Sequence, residues 1–154
     1  MNKENINILL ADDDKSDCYL FERVLEMITV STTFNSVHDG EKLMEFLNDK
    51  TRALPTVLFL DLNMPRKNGF KCLEEIKLNK KLMQMPVIIF STSFEQDIAD
   101  QLYKNGAHFY ICKPNDFNHL KEVIYQALQL IKAYPDSQPP KEIFLLSNLK
   151  YLHL

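Results

Sequence analysis

Several features are missing from this 154-residue chain, and each absence closes off a class of protein. No run approaches the ~20 consecutive apolar residues that a membrane helix needs. The N-terminal MNKENINILL has neither the long apolar stretch nor the small-residue cleavage site of a signal peptide. A cytoplasmic protein without a membrane partner is the expectation. Cys18, Cys72 and Cys112 form no CxxC and no Cys/His cluster. They therefore offer neither a zinc site nor a disulfide framework, and read as reduced cysteines in or near the core. There is no excess of basic charge: the formal net charge is −3. Nucleic acid, whose phosphate backbone calls for a basic face, is not an expected partner. Internal repeats and low-complexity tracts are absent as well.

What is present is an alternation of short apolar runs with longer helical patterns. The length suits one domain. Ile6–Ala11 is the first run and leads into Asp12-Asp13-Asp14. From Ser16 to Ile28 a helical stripe passes through Tyr19, Leu20, Val24, Leu25 and Ile28. Thr32–Val37 is a weaker, β-branched run that suits an edge strand, and His38-Asp39-Gly40 turns into a helix carrying Leu43, Met44, Phe46 and Leu47. Residues 56–60 (TVLFL) and 86–90 (PVIIF) are nearly uninterrupted apolar stretches, as central strands covered on both faces should be. Asn68-Gly69 opens a helix through Phe70, Leu73 and Ile76. Residues 93–105 read as a helix with Ser93 at its N-cap and Gly106 just past its end. Phe109–Cys112 is a fifth strand, and a last helix begins near Asp116.

Five strand–helix alternations imply parallel strands joined by right-handed crossovers, hence an α/β, doubly wound, five-stranded parallel sheet with helices on both faces. Residues 1–134 are assigned to this domain. Residues 135–154 read as a linker (PDSQPP, 135–140) and a short C-terminal tail without an output domain.

Ligands of open α/β sheets bind beyond the carboxyl ends of the strands, where the strand order reverses. Asp12, Asp13 and Asp14 follow the first strand, Asp61 and Asn63 the third, Ser91 and Thr92 the fourth, and Lys113 the fifth. With the order 2-1-3-4-5, Asp12, Asp13 and Asp61 would share one pocket with a hydroxyl and an ammonium. Crowded carboxylates call for a cation at neutral pH. An all-oxygen set without nearby His or Cys favours Mg²⁺, with Mn²⁺ as a substitute. A carboxylate so placed can act as a nucleophile toward phosphorus.

These residues resemble the response-regulator receiver domains of two-component signalling. The resemblance covers roughly residues 5–133 and is carried by ILLADDD (8–14), LFLDLNMPRKNG (58–69), VIIFSTS (87–93) and FYICKP (109–114). It implies a flavodoxin-like fold with the order 2-1-3-4-5. It also implies that Asp61 is the phosphoacceptor. Asp13 would be a direct metal ligand and Asp12 would act mainly through water, with the backbone carbonyl of Asn63 completing the site. Ser91 and Lys113 would contact the phosphoryl group, Lys113 preceding a cis bond to Pro114. Tyr110 would be the aromatic switch partner of Ser91, and the side chains of Asn63 and Ser93 would tune the lifetime of the phosphoryl group. The implied partners are a histidine kinase or phosphotransfer protein and a downstream protein target; the oligomeric state stays open.

Two other readings compete. A phosphatase with an Asp nucleophile usually carries a second Asp two residues on, but here that place holds Asn63. A phosphorylation-independent scaffold would not need the full set of Asp12, Asp13, Asp61, Ser91 and Lys113. The chain is therefore expected to be a phosphoacceptor that is no enzyme beyond its own phosphorylation and dephosphorylation. Asp14 is expected only to cap the first helix.

Overall fold

The computed structural model describes residues 5–135 and 137–146. Residues 147–154 of the tail and Asp136 of the linker lie outside the described residues. Five strands, β1 (Ile6–Ala11), β2 (Thr32–Val37), β3 (Val57–Leu60), β4 (Val87–Ser91) and β5 (Phe109–Cys112), alternate with five helices. These are α1 (Lys15–Met27), α2 (Gly40–Leu47), α3 (Gly69–Leu78), α4 (Gln96–Lys104) and α5 (Phe117–Ala133). All pairings are parallel and the sheet order is β2-β1-β3-β4-β5.

Side chains alternate across a strand, so each central strand feeds two cores. Leu9, Leu58, Leu60, Val87 and Ile89 face α2, α3 and α4, where Leu43, Leu73, Ile76 and Leu102 meet them. Ile8, Leu10, Phe59, Ile88 and Phe90 face α1 and α5, packing on Phe21, Val24, Ile124 and Leu128. Phe21 anchors that second face, its ring 4.8 Å from Phe59 and 5.6 Å from Phe90 in edge-on geometry.

Local chemistry sets most helix starts. Asp14 caps α1 by accepting from the N–H groups of Ser16 and Asp17, and Asp39, Asn68 and Asp116 cap α2, α3 and α5 in the same manner. Gly106, just past α4, has φ +100, the left-handed conformation that glycine adopts at least cost.

Three local expectations are corrected. The buried stripe of α1 runs through Cys18, Phe21, Val24 and Leu25, whereas Tyr19 and Leu20 are exposed; the ring of Phe21 holds the inner face and turns its neighbours outward. Ser93 caps nothing. Helix α4 starts at Gln96 behind Glu95, which makes no side-chain capping bond; Ser93 lies three residues ahead of it, its carbonyl receiving the Tyr110 hydroxyl. The bond before Pro114 is not cis, for the described residues contain no cis peptide. Trans is the ordinary preference of an X–Pro bond.

Residues beyond α5 return to the sheet. Gln138 donates from its side chain to the carbonyls of Tyr103 and Ala107, and the Tyr103 hydroxyl donates to the carbonyl of Pro139 at 2.7 Å. After a single 3₁₀ turn (Lys141–Ile143), Leu145 pairs in parallel with Tyr110 at the outer edge of β5. Phe144 enters one core and Leu146 the other, so the segment closes the edge from both faces.

Candidate functional site

The sheet hydrogen bonds place the acidic residues. Asp12 donates its N–H to Val37 O at 3.0 Å, and Asp61 donates its N–H to Ala11 O at 2.9 Å. Each carboxylate therefore leaves the sheet at the carboxyl end of its strand, at the switch between β1 and β3. Ser91 ends β4, and its carbonyl accepts the N–H of Lys113 at 2.7 Å, which brings Lys113 into the same cleft. Glycine lets the β3–α3 loop close underneath. A Cβ on Gly69 would stand 2.3 Å from the Asp61 carbonyl oxygen.

Asp12, Asp13 and Asp61 present carboxylate oxygens that all lie within 4.8 Å of one another. Asp12 and Asp61 are buried and Asp13 is exposed, so the cluster opens to solvent on one side. Lys113 is shared. Its Nζ lies 2.7 Å from Asp12 Oδ2, 2.8 Å from Asp17 Oδ2 and 3.8 Å from Asp61 Oδ2. The ammonium also sits 5.1 Å from the centre of the Phe90 ring. Asp12 Oδ1 accepts the N–H of Asp14 at 2.9 Å.

Charge is poorly balanced here. Burial pushes the Asp61 carboxyl up to about 6, with nearby Asp12 adding to the shift and Lys113 opposing it. Burial likewise raises Asp12 against the pull of Lys113. Burial alone would lower Lys113, but Asp12, Asp17 and Asp61 together carry it above its ordinary value. Among the described residues Ser91 Oγ is buried with no hydrogen-bond partner, and Asp12 Oδ2 has none beside its ion pair with Lys113. Buried oxygens left in this way, inside a set of hard carboxylates, fit a hard divalent cation and an oxygen-rich ligand.

Tyr110 is buried, and its hydroxyl donates to the carbonyl of Ser93. Its ring lies 5.4 Å from that of Phe94. Asn63 is exposed and its N–H donates to Asp61 Oδ1 at 3.4 Å; Ser93 is exposed as well. Asp12, Asp13, Asp61, Ser91 and Lys113 thus stand together at the strand ends, with exposed Asn63 beside Asp61 and Tyr110 within β5, its hydroxyl on the loop after β4. Asp17 was missed by sequence reasoning. An acid in a first helical turn looks like a partner of the helix dipole, and its ion pair joins positions 96 residues apart.

A doubly wound domain of order 2-1-3-4-5, with an acidic pocket at its switch point, is the architecture of a receiver. The chain matches the response regulator receiver domain family over residues 8–125, and it belongs to that family. It is 29% identical over 130 residues to the probable methanogenesis regulatory protein FilR2 of Methanothrix harundinacea, covering 82% of this chain and 81% of that protein. It is 31% identical over 121 residues to the response regulator Rcp1 of Synechocystis, covering 76% and 82%. Among solved structures, the phosphorylated cyanobacterial phytochrome response regulator RcpA superimposes with a TM-score of 0.75 at 30% identity, over 83% of this chain and 94% of that one. The Mn²⁺-bound form of Rcp1 gives 0.74 at 29%, over 87% and 99%. Among the described residues no helix is long and apolar enough to cross a membrane.

Proposed function

We propose that this receiver domain accepts a phosphoryl group on Asp61, in a Mg²⁺-dependent transfer from a histidine kinase or phosphotransfer protein, and passes the signal on by protein contact. The observation that carries the reading is the convergence of Asp12, Asp13, Asp61, Ser91 and Lys113 at the ends of four strands. Relatives solved in a phosphorylated form and in a Mn²⁺-bound form support it.

In this reading the Asp61 oxygen attacks phosphorus as the bond to the donor nitrogen breaks, and the departing imidazole takes up a proton. Asp12, Asp13 and Asp61, with the backbone carbonyl of Asn63, would hold Mg²⁺ or Mn²⁺. The bound cation supplies charge neutralisation for the transferring group. Ser91 turns its free hydroxyl to a phosphoryl oxygen, and Lys113 pairs with another. Phosphorylation adds about −1.5 to −2 charge in the cleft. The resulting pull on Ser91 and Lys113 reaches Tyr110 and α4 through β4 and β5, shifting the population of that surface. The exposed side chains of Asn63 and Ser93 would set access of water to the acyl phosphate and hence its lifetime.

Intact-mass analysis with acetyl phosphate tests this. A single Mg²⁺-dependent phosphoryl adduct in wild type, absent from Asp61→Asn, is the expected result. An adduct that persists in Asp61→Asn, or none from any donor, would remove Asp61 from its role.

A further inference from the structure

Lys113 does not aim at Asp61 in this structure. Its ammonium is drawn toward α1, where Asp12 and Asp17 hold it at 2.7 and 2.8 Å, while Asp61 stays 3.8 Å away. Phe90 lies against it, 5.1 Å from ring centre to nitrogen. The Lys113 side chain is only 9% exposed and that of Asp17 only 26%, so water screens their contact far less than it screens a surface pair. Asp17 has another employment open to it, since an acid in the first turn of α1 favours the helix dipole without touching any side chain. It nevertheless reaches across to β5.

We propose that Asp17 is a positioning residue: it parks Lys113 on the α1 side of the cleft, which keeps the ammonium from pairing closely with Asp61 and leaves the Asp61 carboxylate free for cation and phosphoryl group. This rests on the phosphoacceptor reading of the cleft. The physical logic is competition. The ammonium and a divalent cation would compete for the same two buried carboxylates, Asp12 and Asp61. A carboxylate outside the metal cluster takes part of the lysine's charge, so Asp61 and Asp12 retain more of theirs for the cation. Once the phosphoryl group is in place, its oxygens outbid Asp17 and Lys113 swings inward. Asp17 therefore defines the resting end of the lysine's travel.

The test is a double-mutant cycle read by Mg²⁺ titration of amide NMR shifts, without a phosphoryl donor. Asp17→Asn should weaken Mg²⁺ binding by about fivefold, because the released Lys113 closes on Asp61. In a Lys113→Met background, which itself should bind Mg²⁺ more tightly, the same change should have almost no effect. Lys113→Gln takes the place of Lys113→Met if that variant does not fold. An equal loss in both backgrounds would mean that Asp17 acts only through its own charge or through α1, and would overturn the proposal. So would no loss in either. Failure of wild type to bind Mg²⁺ would overturn both this proposal and the reading on which it rests. Mg²⁺ binding without any uptake from acetyl phosphate would overturn the phosphoacceptor reading and leave the cycle to decide the role of Asp17.

Discussion

Tyr110 donates its backbone N–H to the carbonyl of Phe144 at 2.8 Å, and the two rings meet edge-on with centres 6.2 Å apart. The tail therefore extends the hydrogen-bonded sheet past β5, at the residue whose hydroxyl reaches the loop after β4. Leu146 completes the pair by donating to Tyr110 O at 2.8 Å.

Phe144 is 4% exposed and also packs on Tyr103, 5.3 Å away. Phe144→Ala should cost about 3 kcal/mol, the scale for removing a buried aromatic ring. For a chain of this size that corresponds to a fall of roughly 10 °C in Tm. Truncation after Pro135 should cost at least as much, because it also unpairs both backbone groups of Tyr110. Thermal unfolding measures both. An unchanged Tm on truncation would show that the edge of β5 does not depend on this segment.

The raised pKa of Asp61 makes stability depend on pH in a definite direction. Its folded value of about 6 exceeds the ordinary 3.8, so the fold prefers the protonated carboxyl. That contribution is complete below pH ~4 and is lost as pH rises through about 6. At pH 7.5 in EDTA, Asp61→Asn should be more stable than wild type by on the order of 2 kcal/mol, and at pH 4 the difference should nearly vanish. Asp12 shifts in the same direction and interacts with Asp61, so the difference reports the loss of the Asp61 charge together with its repulsion of Asp12. Urea midpoints at the two pH values decide it. A variant less stable than wild type at pH 7.5 would contradict the burial argument.

Ser91 ends a strand with a buried hydroxyl that meets no hydrogen-bond geometry among the described residues. Removing an unpaired hydroxyl sacrifices no hydrogen bond, so Ser91→Ala should leave the urea midpoint of the unphosphorylated protein within about 0.5 kcal/mol of wild type. The same substitution should shrink the amide NMR shifts that phosphorylation produces in α4 and β5. A large loss of stability before phosphorylation would show that the hydroxyl already has a structural partner.

The strands and the acidic pocket were legible for a simple reason. Buried parallel strands such as Val57–Leu60 and Val87–Ser91 are continuous apolar runs, and functional residues stand where those runs stop. The capping role of Asp14 was likewise local, set by its side chain and the N–H groups two and three residues on. What stayed hidden depends on distant partners. Helix α4 starts at Gln96 and not at Ser93, whose carbonyl is taken by Tyr110, seventeen positions away. Tyr19 and Leu20 looked buried until the ring of Phe21 claimed the inner face. Pro135 to Pro140 carry every punctuation mark of a linker, yet Gln138 and Pro139 are bonded to α4 and the loop beyond it. The Asp17–Lys113 pair is tertiary in the same sense.

Gly69 offers a way to disturb the site through the backbone alone. A methyl group there would meet the Asp61 carbonyl oxygen at 2.3 Å and Leu62 Cα at 2.9 Å, both of them backbone atoms that cannot rotate away. The Gly69 N–H is already committed to Leu62 O at 2.9 Å, so α3 cannot back off without breaking that bond. Gly69→Ala should therefore destabilise by about 2 kcal/mol or more and also move Asp61, weakening Mg²⁺ binding in the same variant. Gly106→Ala is the matched control. It forces alanine into a left-handed φ of +100, at a cost of about 1–2 kcal/mol, but the atoms nearest its new methyl belong to the Lys77 side chain and not to backbone. Comparable destabilisation with Mg²⁺ affinity lost only in Gly69→Ala would show that the close approach of α3 to β3 is what aims Asp61. Equal Mg²⁺ affinity in the two variants would mean that the carboxylate is held by its strand alone.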